Sequence, residues 1–149
     1  MVLEPSNPDV LEKYAWQKYL IESNHMTMLT PIDTKESEEV LLKCIRLSAD
    51  TVDRYHFRLA NLYYGTQRYT KAGDHYVQTL LIRNNHQGDL NIHEDAVFLQ
   101  IARCLNRLGK NDRAISYAVQ AALLNPKNEE AKDLLYELWT RGMNKARHK

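Results

Sequence analysis

Glycine and proline are scarce in this chain, five and four in 149 residues, and three of the prolines (Pro5, Pro8, Pro31) fall among the first 31 positions. Long stretches are therefore free of helix breakers. No apolar run approaches the roughly 18 residues needed to cross a bilayer, and the mean hydropathy of -0.56 points the same way. The opening MVLEPSNPDVLEKY lacks the basic-then-apolar layout of a secretory signal, and the closing GMNKARHK supplies no apolar anchor. The expectation is an intracellular soluble protein, cytoplasmic or nuclear, with no membrane partner. Only two cysteines occur, Cys44 and Cys104, without CxxC spacing, which suits reduced core thiols rather than a disulfide framework or a zinc site.

Catalytic signatures are missing too. The chain has no GxGxxG, no phosphate-cradling GxxxxGK[ST], no HExxH and no GxSxG. His86 and His93 bracket a polar stretch and read as solvated rather than metal-binding, while His56 and His75 read as packing residues. The expectation is a non-catalytic protein with no catalytic residues, no metal and no cofactor.

What is present is a soluble globular composition, 44% hydrophobic and 26% charged, in a length suited to one domain. The net charge of +1 hides a split: residues 1–50 hold five Lys and Arg against nine Asp and Glu, the remainder fifteen against ten. Such polarity points to a charge-sensitive partner, or to a second copy whose basic part meets the acidic first 50 residues.

From residue 34 onward apolar residues recur at intervals of three and four, as in Val40, Leu41, Cys44, Ile45 and again in Val97, Phe98, Ile101, Ala102, Leu105. Strand-type alternation is missing, so an all-α chain of about seven helices is predicted. The helices run from about Asp9 to Ser23, opened by Asn7 as cap and Pro8 at the first position; Lys35 to Ser48, capped by Asp33 or Thr34; Asp50 to Gln67; Tyr69 to Asn84; Glu94 to Leu108; Asn111 to Asn125; and Asn128 to Thr140. The short gaps Gln67-Arg68 and Gly109-Lys110 force antiparallel hairpins. Residues 1–8 read as an N-terminal extension, 9–140 as one helical domain, and 141–149 as a basic tail expected to fray.

Laid over each other, 53–84 and 95–126 register without an internal gap. Leu59-Ala60 falls on Ile101-Ala102, Tyr63 on Leu105, Gln67 on Gly109, Ala72 on Ala114, Tyr76 on Ala118 and Thr79 on Ala121. The offset is 42 residues, a unit of about 34 plus an insertion around Gly88. Small residues at matched places let the two helices of a hairpin approach closely, Ala60 facing Ala72 and Ala102 facing Ala114, while bulky residues fill the space between hairpins. Gly109 suits a positive φ at the turn, and Pro126 a stop.

On these residues the chain resembles the tetratricopeptide repeat family. The second unit carries Phe98, Ile101-Ala102, Leu105, Gly109, Ala114, Ala118, Ala121 and Pro126 at the family's places; the first departs at the turn (Gln67) and at the closing proline (Asn84). The resemblance implies a right-handed superhelix of hairpins, with repeats at 53–84 and 95–126, a divergent hairpin at 9–48 and a capping helix at 128–140. It further implies a concave groove lined by the second, fifth, ninth, twelfth and thirteenth positions of each unit. Those places hold Arg54, Phe57, Asn61, Tyr64 and Gly65, then Ala96, Leu99, Arg103, Asn106 and Arg107.

The function this implies is a protein–protein interaction module, an adaptor or a subunit of a larger assembly, holding an acidic peptide or helix of another protein. Phe57, Tyr64 and Leu99 supply apolar contact, Arg54, Arg103 and Arg107 select acidic groups, and Asn61 and Asn106 bond the backbone. The family's clamp for chaperone tails needs Lys and Asn at the fifth and ninth positions of its first unit; Phe57 and Asn61 keep only half of it. The alternatives are single-stranded RNA binding through Tyr63, Tyr64, Arg58 and Arg68, disfavoured by a pI near 7.8, and a homodimerising scaffold.

Overall fold

The computed structural model describes residues 7–24, 34–49, 51–85 and 92–147. Every regular element among them is an α-helix: α1 (Pro8–Asn24), α2 (Lys35–Leu47), α3 (Asp53–Gly65), α4 (Tyr69–Asn85), α5 (Glu94–Arg107), α6 (Asn111–Leu124) and α7 (Glu129–Arg147). Contacts run almost wholly between consecutive helices and are densest within α3–α4 and α5–α6. This is an all-α array of helical hairpins in which each pair meets its neighbours along the chain.

The helix ends follow from local chemistry. Asn7 caps α1 as its sequence suggests, its Oδ1 accepting the Asp9 backbone N–H at 2.9 Å. Thr34 stands at the start of α2 without a side-chain capping bond; its hydroxyl instead accepts from Arg68 Nη2 at 3.2 Å. Asp33 and the insertion around Gly88 lie outside the described residues. The seventh helix runs past Thr140 to Arg147, where a fraying tail is the sequence expectation. The reason is local: Arg141 holds Glu137 one turn back at 2.7 Å and Asn106 of α5 at 2.8 Å, so the helix is pinned where the tail was to begin.

The turns inside the two central hairpins are the same object built from different residues. Gly109 has φ +76° and Gln67 has φ +64°. In one, Lys110 N–H bonds Leu105 O at 2.9 Å and Gly109 N–H bonds Asn106 O at 3.1 Å; in the other, Arg68 N–H bonds Tyr63 O at 2.8 Å and Gln67 N–H bonds Tyr64 O at 3.1 Å. Both are Schellman closures, so the departure at Gln67 changes the residue and not the turn. A side chain in this left-handed region costs about 1–2 kcal/mol that glycine does not incur, less the extra chain entropy glycine loses on folding. Gln67→Gly is therefore expected to stabilise the fold by about 1 kcal/mol, read as a higher urea midpoint at constant m-value; a lower midpoint contradicts the account.

Packing obeys the small-and-large rule. Ala60, Ala72, Ala102, Ala114, Ala118 and Ala121 are all fully buried, and Leu59, Tyr63, Tyr76, Ile101 and Leu105 fill one continuous core that reaches Ala15 of α1 and Leu138 of α7. The two units also close alike. Asp53, first in its unit, accepts from Arg83 at 3.2 Å, and Asp95, first in the next, accepts from Asn125 at the matching place at 3.0 Å and from Asn128 at 2.9 Å. Burial raises the Asp95 pKa, but the amide donors outweigh it and hold the carboxyl below its ordinary value.

Part of the charge split of the sequence is spent inside the chain. Asp9 and Glu12 of α1 meet Arg54 and Arg58 of α3, and Glu38 of α2 meets Arg68 at 2.8 Å. The acidic first hairpin is thus docked on a basic second one. Tyr19 of α1 adds a steric fit, because a Cβ at Gly65 of α3 would fall 1.9 Å from its hydroxyl oxygen.

Candidate functional site

The odd-numbered helices share a face and line two clefts. The first, of about 810 Å³, lies between α1 and α3 and is lined by Glu12, Trp16, Arg54, Phe57, Arg58 and Ile92 among others. The second, of about 490 Å³, is built by Tyr64 of α3, by Arg103, Asn106 and Arg107 of α5, and by Leu134, Glu137 and Arg141 of α7. Both are within the size range of ligand clefts.

The eight groove residues expected from the sequence divide between these clefts and the core. Arg54 and Phe57 line the first cleft. Arg54 is committed within the chain, to Asp9 at 2.5 Å and Glu12 at 3.0 Å, so it holds α1 in place as well as facing the cleft. Phe57 is half-buried and meets Tyr76 edge-on at 6.0 Å. Asn61 accepts the Tyr76 hydroxyl at 2.5 Å, which ties its amide to the core. Leu99 has almost no surface, 4% exposed, and packs with Ala121 and Ala131; it gives a ligand no apolar contact because α6 and α7 cover it.

Tyr64, Arg103, Asn106 and Arg107 come together in the second cleft. Tyr64 stands edge-on to Tyr69 at 5.4 Å. Arg103 is steadied by Gln100 at 2.7 Å and Glu130 at 2.5 Å, and Asn106 accepts from Arg141 at 2.8 Å. Arg107 is exposed, with its guanidinium 6.0 Å from the Tyr69 ring centre and no carboxylate within ion-pair distance among the described residues. The lining carries three guanidinium groups against one carboxylate, Glu137, so its field attracts anions.

Leu134, Glu137 and Arg141 are cleft residues the sequence reading missed. The signal existed: with Glu129 opening the next unit, Glu130, Glu137 and Arg141 occupy its second, ninth and thirteenth positions, the places already used to pick groove residues in the two earlier units. Treating α7 only as a cap hid them.

Of the remaining candidates, His56 and the two cysteines are buried and His93 is exposed. His56 Nδ1 lies 2.9 Å from His75 Nδ1 in a stacked pair between α3 and α4, so one ring donates and the other accepts. His93 precedes α5, and His86 lies outside the described residues. Both cysteines are buried and free; burial pushes the Cys44 thiol up to about 11 and the Cys104 thiol up to about 12. Such thiols are poor nucleophiles and poor metal ligands, and among the described residues no group of three or more His, Cys, Asp or Glu could hold a metal ion. No described helix is long and apolar enough to cross a membrane. Three of the four residues offered for RNA binding are occupied: Tyr63 is buried with its hydroxyl on Glu38 at 2.8 Å, Arg68 holds the same carboxylate, and Arg58 holds Glu12 and covers Trp16; Tyr64 lines the second cleft.

An array of stacked helical hairpins with clefts between its odd helices defines a helical-repeat protein. Residues 96–128 match the family model described as tetratricopeptide repeat, and solved structures that include tetratricopeptide repeat domains resemble most of the chain. The tetratricopeptide repeat domain of Arabidopsis OM64 is 15% identical at a TM-score of 0.67, covering 88% of this chain and 93% of that one. The Yersinia enterocolitica type III secretion chaperone SycD, in complex with a peptide of the translocator YopD, is 13% identical at 0.71, covering 93% and 97%. The second tetratricopeptide repeat domain of human RPAP3, in complex with an HSP70 peptide, is 18% identical at 0.66, covering 89% and 98%. No curated protein matches the chain in sequence at a significant level. Residues 96–128 match a tetratricopeptide repeat by sequence, and the described residues as a whole take the fold of such repeat domains.

Proposed function

We propose that the chain is a protein-interaction module, an adaptor or assembly subunit, that holds an acidic peptide or helix of another protein along its odd-helix face. The observation that carries this is the convergence of Arg103, Arg107 and Arg141 on a cleft of about 490 Å³ whose lining includes a single carboxylate. A ligand carboxylate or cluster of carboxylates seats there against forked guanidinium groups, with Tyr64 as the apolar wall and Asn106 as a polar partner. The rest of the ligand runs toward the α1–α3 cleft, where Phe57 and Trp16 offer apolar contact and Arg54 and Arg58 shape the floor. Leu99 plays no part, being covered. The peptide complexes of the Yersinia and human neighbours support a peptide as the occupant.

The test is fluorescence anisotropy with labelled acidic peptides beside their amidated, glutamine-substituted counterparts. Arg103→Glu with Arg107→Glu reverses two of the three cleft cations and is expected to weaken acidic-peptide binding by about 100-fold or more, while helicity and melting temperature stay nearly unchanged. Binding that survives the double change, or that does not discriminate acidic from neutral peptides, removes this assignment.

A further inference from the structure

The two asparagines of the odd-helix face are held the same way round. Asn106 Oδ1 accepts from Arg141 Nη1 at 2.8 Å, and a guanidinium can only donate, so the Asn106 amide turns its NH2 away from Arg141. Asn61 is fixed by a longer chain that begins at another arginine. Arg103 Nη1 donates to Gln100 Oε1 at 2.7 Å, which leaves the Gln100 NH2 to donate to the Tyr76 hydroxyl oxygen at 3.1 Å. The single proton of that hydroxyl then goes to Asn61 Oδ1 at 2.5 Å. Each step fixes the next, since an Asn61 amide turned over would leave the buried phenol proton without an acceptor. Among the described residues neither asparagine nitrogen has a hydrogen-bond partner, and neither is buried. Both NH2 groups stand open to solvent.

Asn61 lines neither cleft but stands between them. It lies four residues after Phe57, which lines the first, and three before Tyr64, which lines the second, a spacing that puts all three on one stripe of α3. Asn106 is in the second cleft itself. A ligand that crosses from one cleft to the other thus passes two oriented N–H donors beside the arginines, and such donors need acceptors. A helical ligand spends its main-chain carbonyls on its own N–H groups, all but those of its last turn, whereas an extended chain carries its carbonyls free. Resting on the acidic-ligand reading above, we infer that the occupant is an extended acidic segment and not a helix, with main-chain carbonyls accepting from Asn61 and Asn106. Gln100 and Tyr76 are then positioning residues, which carry the donor direction of Arg103 through the core to Asn61. Because Arg103 also lines the second cleft, the two parts of the face share one hydrogen-bond order.

Fluorescence anisotropy with two labelled probes tests this: an unstructured peptide of glutamate and leucine, and the same peptide held helical by a hydrocarbon staple in place of two leucines, with every glutamate kept. The free peptide is expected to bind the full chain about tenfold more tightly or better, as two carbonyl bonds worth about three- to tenfold each would give. Stapled binding that is equal or tighter overturns the inference while the acidic reading stands; if neither probe binds better than its glutamine counterpart, both fall. Asn61→Ala is expected to weaken the free peptide by about three- to tenfold, and Tyr76→Phe, which frees the amide to turn over, by about threefold. The double variant should bind no more weakly than Asn61→Ala alone, because Tyr76 acts on the ligand only through Asn61; a residue that merely supported the fold would add a loss of its own. Circular dichroism verifies that each variant is folded, and the comparison of probes on the wild-type chain needs no variant. Losses that multiply, or an Asn61→Ala chain that binds as the wild type does, also overturn the inference.

Discussion

Tyr76→Ala is expected to lower the unfolding free energy by about 3–5 kcal/mol, the range for deleting a fully buried aromatic side chain. Tyr76 has no exposed surface and stands on α4 where two hairpins meet. Its ring is edge-on to Phe57 of α3. Its hydroxyl donates to Asn61 of α3 at 2.5 Å and accepts from Gln100 of α5 at 3.1 Å. Burial, ahead of all other causes, raises its pKa, so the phenol is neutral at every working pH and the donor is always present. The truncation removes ring volume from the core and leaves Asn61 and Gln100 without their shared partner. Tyr76→Phe separates the two contributions: it keeps the ring and loses the bonds, at about 1–2 kcal/mol. Urea unfolding of both variants checks the ladder, and a loss below about 1 kcal/mol for the alanine would show that the neighbouring unit, where Ala118 takes this place, tolerates the same vacancy here.

The comparison of Tyr76 with Ala118 also shows how far the sequence could be read. Repeat spacing fixed what happens along each hairpin. Alanines at matched places marked the close approaches, and Gly109 marked a left-handed turn that Gln67 shares without announcing it. Spacing along a hairpin says nothing about which charges meet across helices far apart in sequence. The acidic excess of residues 1–50 looked like an invitation to a partner, yet Asp9 and Glu12 lie more than 40 residues from the arginines they hold, Asp9 on Arg54, Glu12 on Arg54 and Arg58. Leu99 shows the complementary error. Its unit position faces the groove in a general repeat, but here α7 rests on α5 and α6, and an apolar side chain in that seam is covered. Glu137 and Arg141 were legible by extending the same count one unit further. A similar step works backward: if buried Ala15 is matched to Ala60, then Asp9, Glu12 and Trp16 take the second, fifth and ninth places, and all three line the first cleft.

Glu12→Lys is expected to undock α1 from the rest of the array, at about 3–5 kcal/mol for that interface. Glu12 is 4% exposed, and its two carboxylate oxygens each accept from an arginine, Oε2 from Arg54 Nε and Oε1 from Arg58 Nε, both at 3.0 Å. Arg58 in turn lies 4.6 Å over the Trp16 ring. An ammonium at this place puts a third cation beside two and leaves both arginines without the carboxylate that joins them. The uncharged change Glu12→Met should cost much less, because both guanidinium groups keep 29% and 32% of their side-chain surface in solvent and Arg54 retains Asp9. The distribution of the damage is the sharper readout. In an array whose helices meet mainly their sequence neighbours, a lesion at α1 spreads weakly. Hydrogen exchange should therefore show lost protection in α1 and α2, partial loss in α3, and unchanged protection in α5, α6 and α7. Equal loss across all seven helices would mean that the core running from Ala15 to Leu138 behaves as one cooperative unit, and the odd-helix face would then respond as a whole to anything bound at either cleft.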